Sequence, residues 1–250
     1  MSNAQGIFTP SGVEAIGQMP GLDVGEMDML SAASIDGTYE QCINKFLGRR
    51  IENYMSLPYI DRNALILQLR EKTYPGYSYT VRCDKCDAQV RVFSHNVMTA
   101  MSPIPDFKDY YTGVVNGVNT AWSYYSIGHY NWVLEMWDAV KAKYPAFSHT
   151  SFLMLATLDI IGETRCDQDS WEQTAEFIWS IPAIERMKLL KVLPAFQVGG
   201  MKSSIERKCT NPECGVAVRI PLTFPIEFWY PTIEDGEPDD TRDSDTPKNE

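Results

Sequence analysis

Hydrophobic residues recur at intervals of three and four along two stretches of the N-terminal half, which is the spacing of one face of a helix. The first stretch covers residues 27–46, and Asp36-Gly37 within it predicts a break into two short helices. The second stretch, residues 64–69, is apolar on nearly every side, so we expect it to form a central helix. Leu57-Pro58 predicts an extended approach to this helix, and Asp61 is placed to cap its first N–H groups.

Two later segments show the alternating apolar and polar pattern of β-strands, and each of them contains a pair of cysteines. In the first segment, the alternating positions flank Cys83 and Cys86; they are Tyr77, Tyr79, Val81, Val90 and Val92. In the second segment, they flank Cys209 and Cys214; they are Ile205, Val216, Val218, Ile220 and Leu222. Each segment is therefore predicted to be a strand, a tight knuckle and a second strand, with Gly215 in a turn that requires an unusual φ.

The chain between these two segments shows little strand alternation and is rich in aromatic residues. Apolar residues recur near helical spacing over 132–140, and Ser170 with Gln173 fits a capping box at the start of a further helix. We therefore predict a long helical insertion, in which residues 101–130 fit helix and loop about equally well.

The four cysteines of the two knuckles have the spacing of a metal site. A tight turn with cysteines two to four residues apart brings both sulfurs to one ion, and two facing turns complete a tetrahedron. We predict one structural Zn2+ site, with iron as an alternative, at Cys83, Cys86, Cys209 and Cys214. A redox pair would lie at a helix N-terminus and disulfides would need an oxidising compartment, so both are less favoured. Cys42 and Cys166 are left over, and we expect them to be buried small residues.

The two cysteine pairs are separated by 122 residues. Closing a loop of this length costs only about 2 kcal/mol more than closing a typical one, because the cost grows with the logarithm of length. Structural zinc contributes an apparent ~10–16 kcal/mol, so the metal outweighs this cost. We expect the insertion to be folded and to bring its own ends close together.

These elements predict an α+β fold that is mainly helical, in which four-cysteine zinc-ribbon β-hairpins close around a long helical insertion. The predicted parts are an irregular N-terminal arm (1–26), a helical region (27–76), a first zinc-ribbon hairpin (77–98), the helical insertion (99–203), a second zinc-ribbon hairpin (204–230) and an acidic disordered tail (231–250).

The net charge of −11 is unevenly distributed along the chain. Residues 233–250 contain eight acidic residues against Arg242 and Lys248. An acidic chain repels nucleic-acid phosphates, which counts against nucleic acid as a partner. No apolar run approaches the ~20 residues of a membrane-spanning helix, and the N-terminus lacks the pattern of a secretory signal. We therefore expect an intracellular protein that does not bind a membrane.

Motifs of catalysis are not found in the sequence. The three histidines, His95, His129 and His149, are in no metal-protease or nucleophile pattern, and no glycine-rich phosphate loop occurs. Four thiolates also leave zinc no open position for a substrate. We therefore predict that the protein is not an enzyme and has no catalytic residues.

The segment 57–70 resembles the baseplate hub assembly proteins of T-even-type, contractile-tailed bacteriophages. The shared features are a Leu-Pro-x-x-Asp-Arg start, a leucine-rich helix that ends in arginine, a nearby glycine and Cys-x-x-Cys. Here they fall on Leu57, Pro58, Asp61, Arg62, Leu65, Leu69, Arg70, Gly76, Cys83 and Cys86. The resemblance covers residues 27–92 and, more loosely, 165–200.

This resemblance implies a protein that assists or joins the assembly of the phage tail baseplate hub through protein–protein contacts. It implies hub proteins as partners, with self-association as a further expectation. It also implies a location in the bacterial host cytoplasm during virion assembly, or in the tail baseplate of the virion.

A zinc-ribbon adaptor of transcription or replication machinery is the alternative interpretation, based on the metal site alone. Basic residues near the knuckles favour it, and these are Arg82, Lys85, Arg91, Arg207, Lys208 and Arg219. The same residues also fit a structural role beside the negatively charged thiolate cluster.

The aromatic-rich insertion is predicted to present a partner-binding surface, since protein interfaces favour Trp, Tyr and Met. The candidates for this surface are those that prove exposed among Tyr110, Tyr111, Tyr124, Tyr125 and Trp132.

Overall fold

A computed structural model of the chain describes residues 6–76, 78–93, 100–167, 169–197, 200–202, 204–222 and 228–229. Within these residues the fold is α+β, with seven α-helices and small antiparallel sheets. The helices are α1 (Val24–Ile35), α2 (Tyr39–Arg50), α3 (Arg62–Thr73), α4 (Ile127–Lys143), α5 (His149–Thr157), α6 (Trp171–Ser180) and α7 (Ala183–Leu189). The strands are β1 (Ser78–Arg82), β2 (Gln89–Phe93), β3 (Tyr110–Val115), β4 (Val118–Ser123), β5 (Leu158–Ile161), β6 (Thr164–Arg165), β7 (Ser204–Lys208) and β8 (Ala217–Pro221).

In the described part of the chain, every helix is too short or too polar to cross a membrane. The predicted acidic tail lies outside the described residues.

Helices α1 to α3 supply most of a first hydrophobic core. Asp23 caps α1 through a capping box. Gly37, at φ +72°, separates α1 from α2, so the predicted break between two short helices is confirmed. Leu30, Phe46 and Leu65, one from each helix, have no exposed surface and belong to the same core.

Each cysteine pair lies at the turn of an antiparallel hairpin. β1 pairs with β2 and β7 pairs with β8, over five residue pairs in each hairpin. The predicted strand, knuckle and strand pattern is therefore confirmed for both segments. The inward residues Val92 and Ile220 have no exposed surface and pack into the same core as the three N-terminal helices.

The two ends of the insertion lie side by side. Met101 and Met201 form an isolated antiparallel bridge. Next to it, the N–H of Ser102 donates to the carbonyl of Gly200 at 2.8 Å. The chain thus leaves the first hairpin and returns to the second at one place, as expected for a folded insertion.

The insertion contains a four-stranded antiparallel sheet, in the order β3-β4-β5-β6, as well as helices α4 to α7. The prediction that the insertion over 99–203 is helical is therefore wrong in part, because the insertion also contains four strands. Asn116 and Gly117 both have positive φ, +51° and +78°, and form the two-residue turn between β3 and β4. The sheet and helices enclose a second hydrophobic core, which includes Trp122, Phe152 and Ile178.

The insertion contacts the N-terminal region along the segment that precedes α3. The N–H of Tyr59 donates to the carbonyl of Tyr125 at 2.8 Å, and the N–H of Ile127 donates to the carbonyl of Leu57 at 2.9 Å. The ring of Tyr59 also stacks on that of Tyr130, with centroids 4.5 Å apart. Leu57 and Pro58 are extended, as predicted, and a 3-10 turn, Tyr59–Asp61, then leads into α3.

Two predicted helix caps are wrong. Asp61 and Ser170 precede α3 and α6, but neither side chain bonds to its helix. Both have backbone angles near the helical region, whereas a capping side chain requires an extended residue. The carboxylate of Asp61 instead accepts a hydrogen bond from the N–H of Ser11 at 2.8 Å and another from its hydroxyl.

Candidate metal centre

The two knuckles face each other and bring the four predicted cysteines together. All four sulfur atoms lie within 4.8 Å of one another. The Sγ atoms of Cys83 and Cys214 are 3.9 Å apart, and those of Cys86 and Cys209 are 3.5 Å apart. Four sulfurs at ~2.3 Å from one tetrahedral ion would be about 3.8 Å apart, so the spacing fits a single metal ion.

The second cysteine of each knuckle is followed by a residue in the left-handed conformation. Asp87 has φ +58° and Gly215 has φ +59°, so the unusual φ expected at Gly215 is confirmed. The next residue in each knuckle, Ala88 or Val216, hydrogen-bonds through its backbone to the preceding thiol. Backbone N–H groups thus stabilise a thiolate at these two positions. The sequence indicated this turn at Gly215 but not at Asp87.

Strand pairing and side-chain bonding hold the two knuckles in place. Cys83 and Cys209, the first cysteines of the knuckles, are buried at 2% and 8% exposure, whereas the second cysteines are half-buried. The hydroxyl of Thr210 in one knuckle donates to the carbonyl of Gln89 in the other hairpin at 2.7 Å. The two hairpins are therefore joined by hydrogen bonding as well as by the shared core.

The thiols of the cluster differ in acidity. The backbone N–H of Ala88 lowers the pKa of Cys86 to about 7. The backbone of Asn211 acts in the same direction on Cys209, but burial and the adjacent thiols outweigh it and raise that pKa to about 12. Burial raises the pKa of Cys214. One thiolate is thus favoured near neutral pH, and a bound cation would displace the remaining protons.

The donor set decides what chemistry the cluster can perform. Four thiolates in a tetrahedral array are ligands for Zn2+ and for iron. With all four sulfurs bound, the ion has no open position for water or substrate. The arrangement therefore suits a structural ion that joins two distant segments of the chain.

The remaining cysteines and the described histidines lie elsewhere. Cys42 is buried on α2, as expected, and Cys166 is half-buried beside Thr174. His129 closes a capping box at the start of α4, where its Nδ1 accepts the N–H of Ser126 at 3.2 Å. Burial lowers the pKa of His129, which favours the neutral ring that accepts this hydrogen bond. The sequence analysis missed this cap, because the capping-box pattern has Glu or Gln, not His, three residues after the serine.

The five aromatic residues proposed as an interaction surface differ in exposure. Tyr110 is 46% exposed, and Trp132 is buried at 7%. The other three, Tyr111, Tyr124 and Tyr125, are half-buried. The prediction of a partner-binding surface therefore applies most directly to Tyr110.

Comparison of the chain with protein-family models, curated proteins and solved structures finds no match.

Proposed function

We propose that the two hairpins form a zinc ribbon that closes around the insertion, with one structural Zn2+ at Cys83, Cys86, Cys209 and Cys214. The observation that supports this most strongly is that all four sulfurs lie within 4.8 Å of one another. A metal bound only by the folded chain adds its binding free energy to stability. In this role, the ion fixes the ends of two segments that are far apart in sequence.

We further propose that the protein is a non-enzymatic assembly chaperone or component of a phage tail baseplate hub. The similarity of residues 57–70 to such proteins motivates the proposal, and the metal site is compatible with it. Four thiolates that fill the coordination shell support action through contacts and not through catalysis. The expected location is the bacterial host cytoplasm during virion assembly, or the tail baseplate.

The shared residues between Leu57 and Arg70 lie inside the protein. Leu57, Leu65 and Asp61 have no exposed surface, and Arg70 is 2% exposed. The Nε–H of Arg70 donates to the carbonyl of Phe228 at 2.5 Å, which links the motif helix to the C-terminal segment. The motif therefore specifies the core, and partner contacts must come from other residues.

Large apolar side chains are exposed on the neighbouring helices α6 and α7. Trp179 is 51% exposed, Ile184 is 64% exposed and Met187 is 62% exposed. Exposed apolar patches mark interaction sites, and these three residues lie within nine positions of the sequence. They support a function based on protein–protein contact, and we propose them as part of the hub-binding surface.

Affinity capture with the tagged full chain tests the hub proposal. We expect tail hub proteins to co-purify from infected cells, and mass spectrometry to find the chain in tail intermediates or virions. Ile184→Asp should abolish the co-purification, whereas Ile35→Asp, at a site that is 84% exposed on α1, should leave it intact. Absence of the chain from every tail intermediate and of hub proteins from every capture would contradict the proposal.

A second candidate function is a zinc-ribbon adaptor of transcription or replication machinery. Its support is that five of the six basic residues near the knuckles are exposed; Arg207 is half-buried. Against it, the segments 78–93 and 204–221 contain four acidic residues, and Arg82 pairs with Asp87 at 2.8 Å. Zinc with four thiolates adds a formal charge of about −2, which cancels the basic excess. A mobility-shift assay at physiological salt separates the two functions, since only the adaptor should bind nucleic acid.

A further inference from the structure

The sheet of the insertion ends in a strand whose outer edge is unpaired within the described residues. β3 is the terminal strand of the order β3-β4-β5-β6. The N–H of Tyr124 donates to the carbonyl of Asp109 at 3.1 Å, which fixes the alternation of hydrogen-bonded pairs along the hairpin. By this alternation, the N–H and C=O groups of Tyr110, Thr112 and Val114 point away from β4. Together they form an edge that can accept another strand.

The two edges of this sheet differ in how they are protected against pairing. β6 has only two residues, and its Arg165 is exposed. β3 has six residues, and the whole hairpin 110–123 has no charged residue and no proline. Natural sheets block their free edges with short strands, charges, prolines or bulges, and β3 has none of these. Two of the three side chains on the exposed face of β3 are also large and mainly apolar, with Tyr110 46% exposed and Val114 67% exposed, and Thr112 lies between them.

We propose that this edge binds the β3 edge of a second copy of the chain and so forms a symmetric dimer. If a twofold axis passes through Thr112, antiparallel pairing sets Thr112 opposite its own copy and Tyr110 opposite Val114. All outward N–H and C=O groups then find partners, and the exposed ring of Tyr110 packs on a β-branched side chain. The lack of charge at the edge also means that no like charges meet, although each chain has a net charge of −11.

Tyr111 lies on the opposite face of β3, next to Gly113. Its hydroxyl lies 2.5 Å from where a Cβ on Gly113 would be, so the ring lies across that glycine. In the proposed register Tyr111 is opposite Gly113 of the second copy, so the two Tyr111 rings, each lying across its own Gly113, face each other across the twofold axis. A pair of six-residue strands buries less than the ~1,600 Å2 of a standard interface, so the dimer exchanges readily with monomer.

Sedimentation velocity of the metal-loaded full chain, without any hub protein, tests the dimer over a range of concentrations. We expect a reversible monomer–dimer equilibrium. Thr112→Pro removes an outward N–H that makes no bond within the hairpin, and Val114→Lys adds a charge to the edge. Each should raise the dimer dissociation constant about tenfold or more, because Thr112→Pro leaves the opposing carbonyl without its donor and Val114→Lys brings a charge into the interface from each copy. Ile35→Lys, at a β-branched residue on α1 that is 84% exposed, should leave it unchanged.

Cross-linking tests the register independently of affinity. Hydrogen-bonded antiparallel pairs have Cα atoms about 5.5 Å apart, within the range of a disulfide. Thr112→Cys should therefore cross-link between copies under mild oxidation, above the wild-type background. Val114→Cys should not, since its two copies lie about 13 Å apart along the strands.

Three results would overturn the proposal. The first is a chain that remains monomeric at all concentrations. The second is a dimer whose dissociation constant is unchanged in both edge variants. The third is equal cross-linking of Thr112→Cys and Val114→Cys. Metal content and circular dichroism of each variant establish that the fold is retained. The dimer does not depend on the proposed hub function, so either one can fail without the other.

Discussion

Asp87 and Gly215 occupy equivalent positions in the two knuckles, with φ +58° and +59°. Each follows the second cysteine of its pair, although the pairs enclose two residues in one knuckle and four in the other. The left-handed residue turns the next backbone N–H towards the sulfur. Two loops of different length thus reach the same local geometry at the metal centre.

This equivalence predicts effects of different size for substitutions at the two positions. Gly215→Ala should destabilise the metal-loaded protein by ~1–2 kcal/mol, because a Cβ is strained at this φ. No atom lies within 4 Å of the added Cβ, so strain is the sole expected cause. Asp87→Gly removes the corresponding strain but loses an exposed ion pair with Arg82, so stability should change by less than ~1 kcal/mol. Denaturant unfolding measures both, and equal losses would contradict the equivalence.

The metal centre predicts about one ion per chain by elemental analysis. Cys83→Ser and Cys214→Ser should each lose the ion and most of the folding stability, because the ion joins the two hairpins. Cys42→Ser is the control, since Cys42 is buried on α2 away from the cluster, and it should retain the ion with a mild loss of stability. Full metal content in Cys83→Ser or Cys214→Ser would show that the cluster is not the binding site.

The sequence predicted those features that depend on neighbouring residues. The strands around each cysteine pair have a clear period of two, and the break at Gly37 is local, so both were predicted correctly. The β3–β4 hairpin was missed although Asn116-Gly117 is a strong signal for a two-residue turn. There the dense aromatic residues obscured the alternation, because such residues fit a buried helix equally well.

Apart from the cysteine cluster and the meeting of the insertion's ends, contacts between distant residues were not predicted. The partner of Asp61 is Ser11, which lies 50 residues earlier in an arm without periodicity. The two hairpins are joined by Thr210 and Gln89, which are 121 residues apart. Sequence spacing encodes neither contact, because each depends on how separate elements pack in the core.

The ion pair between Glu26 and Arg50 anchors the start of α1 to the end of α2. Arg50 donates to both carboxylate oxygens of Glu26, at 2.9 and 2.5 Å, and its Nε donates to the carbonyl of Pro20 at 2.9 Å. Both side chains are nearly buried, at 11% and 9% exposure. The hydrogen bond from Arg50 lowers the pKa of Glu26, so this stabilisation is lost as the pH falls through that lowered value.

Glu26→Ala should therefore cost about 3–5 kcal/mol, because it leaves Arg50 buried without its counter-ion. The control is Glu172→Ala, which breaks the exposed pair with Lys143 (2.7 Å) and should cost less than ~1 kcal/mol. Chemical unfolding at neutral pH compares the two variants. If the two variants lose similar amounts of unfolding free energy, burial of the Glu26–Arg50 pair does not increase its contribution to stability.

Asp61 supplies the last prediction, which concerns both a buried hydrogen bond and pH. The side chain has no exposed surface, and its carboxylate accepts the N–H and hydroxyl of Ser11. Asp61→Ala leaves these donors unpaired and should cost ~1–3 kcal/mol. Asp61→Asn keeps an acceptor for the N–H and should cost less.

Burial raises the pKa of Asp61 above its ordinary value of 3.8, although the bonds from Ser11 act in the opposite direction. The folded chain therefore binds the proton more tightly than the unfolded chain. The resulting stabilisation is complete below the unfolded-state value and is lost as the pH rises through the folded-state value. Asp61→Asn cannot ionise, so wild type should gain stability relative to this variant as the pH falls from neutral. Loss of metal in acid affects both proteins equally and cancels from the difference. The free energy of unfolding of both proteins is measured across this pH range. If the stability difference between wild type and Asp61→Asn stays constant, or shrinks towards acid, burial does not set the pKa of Asp61.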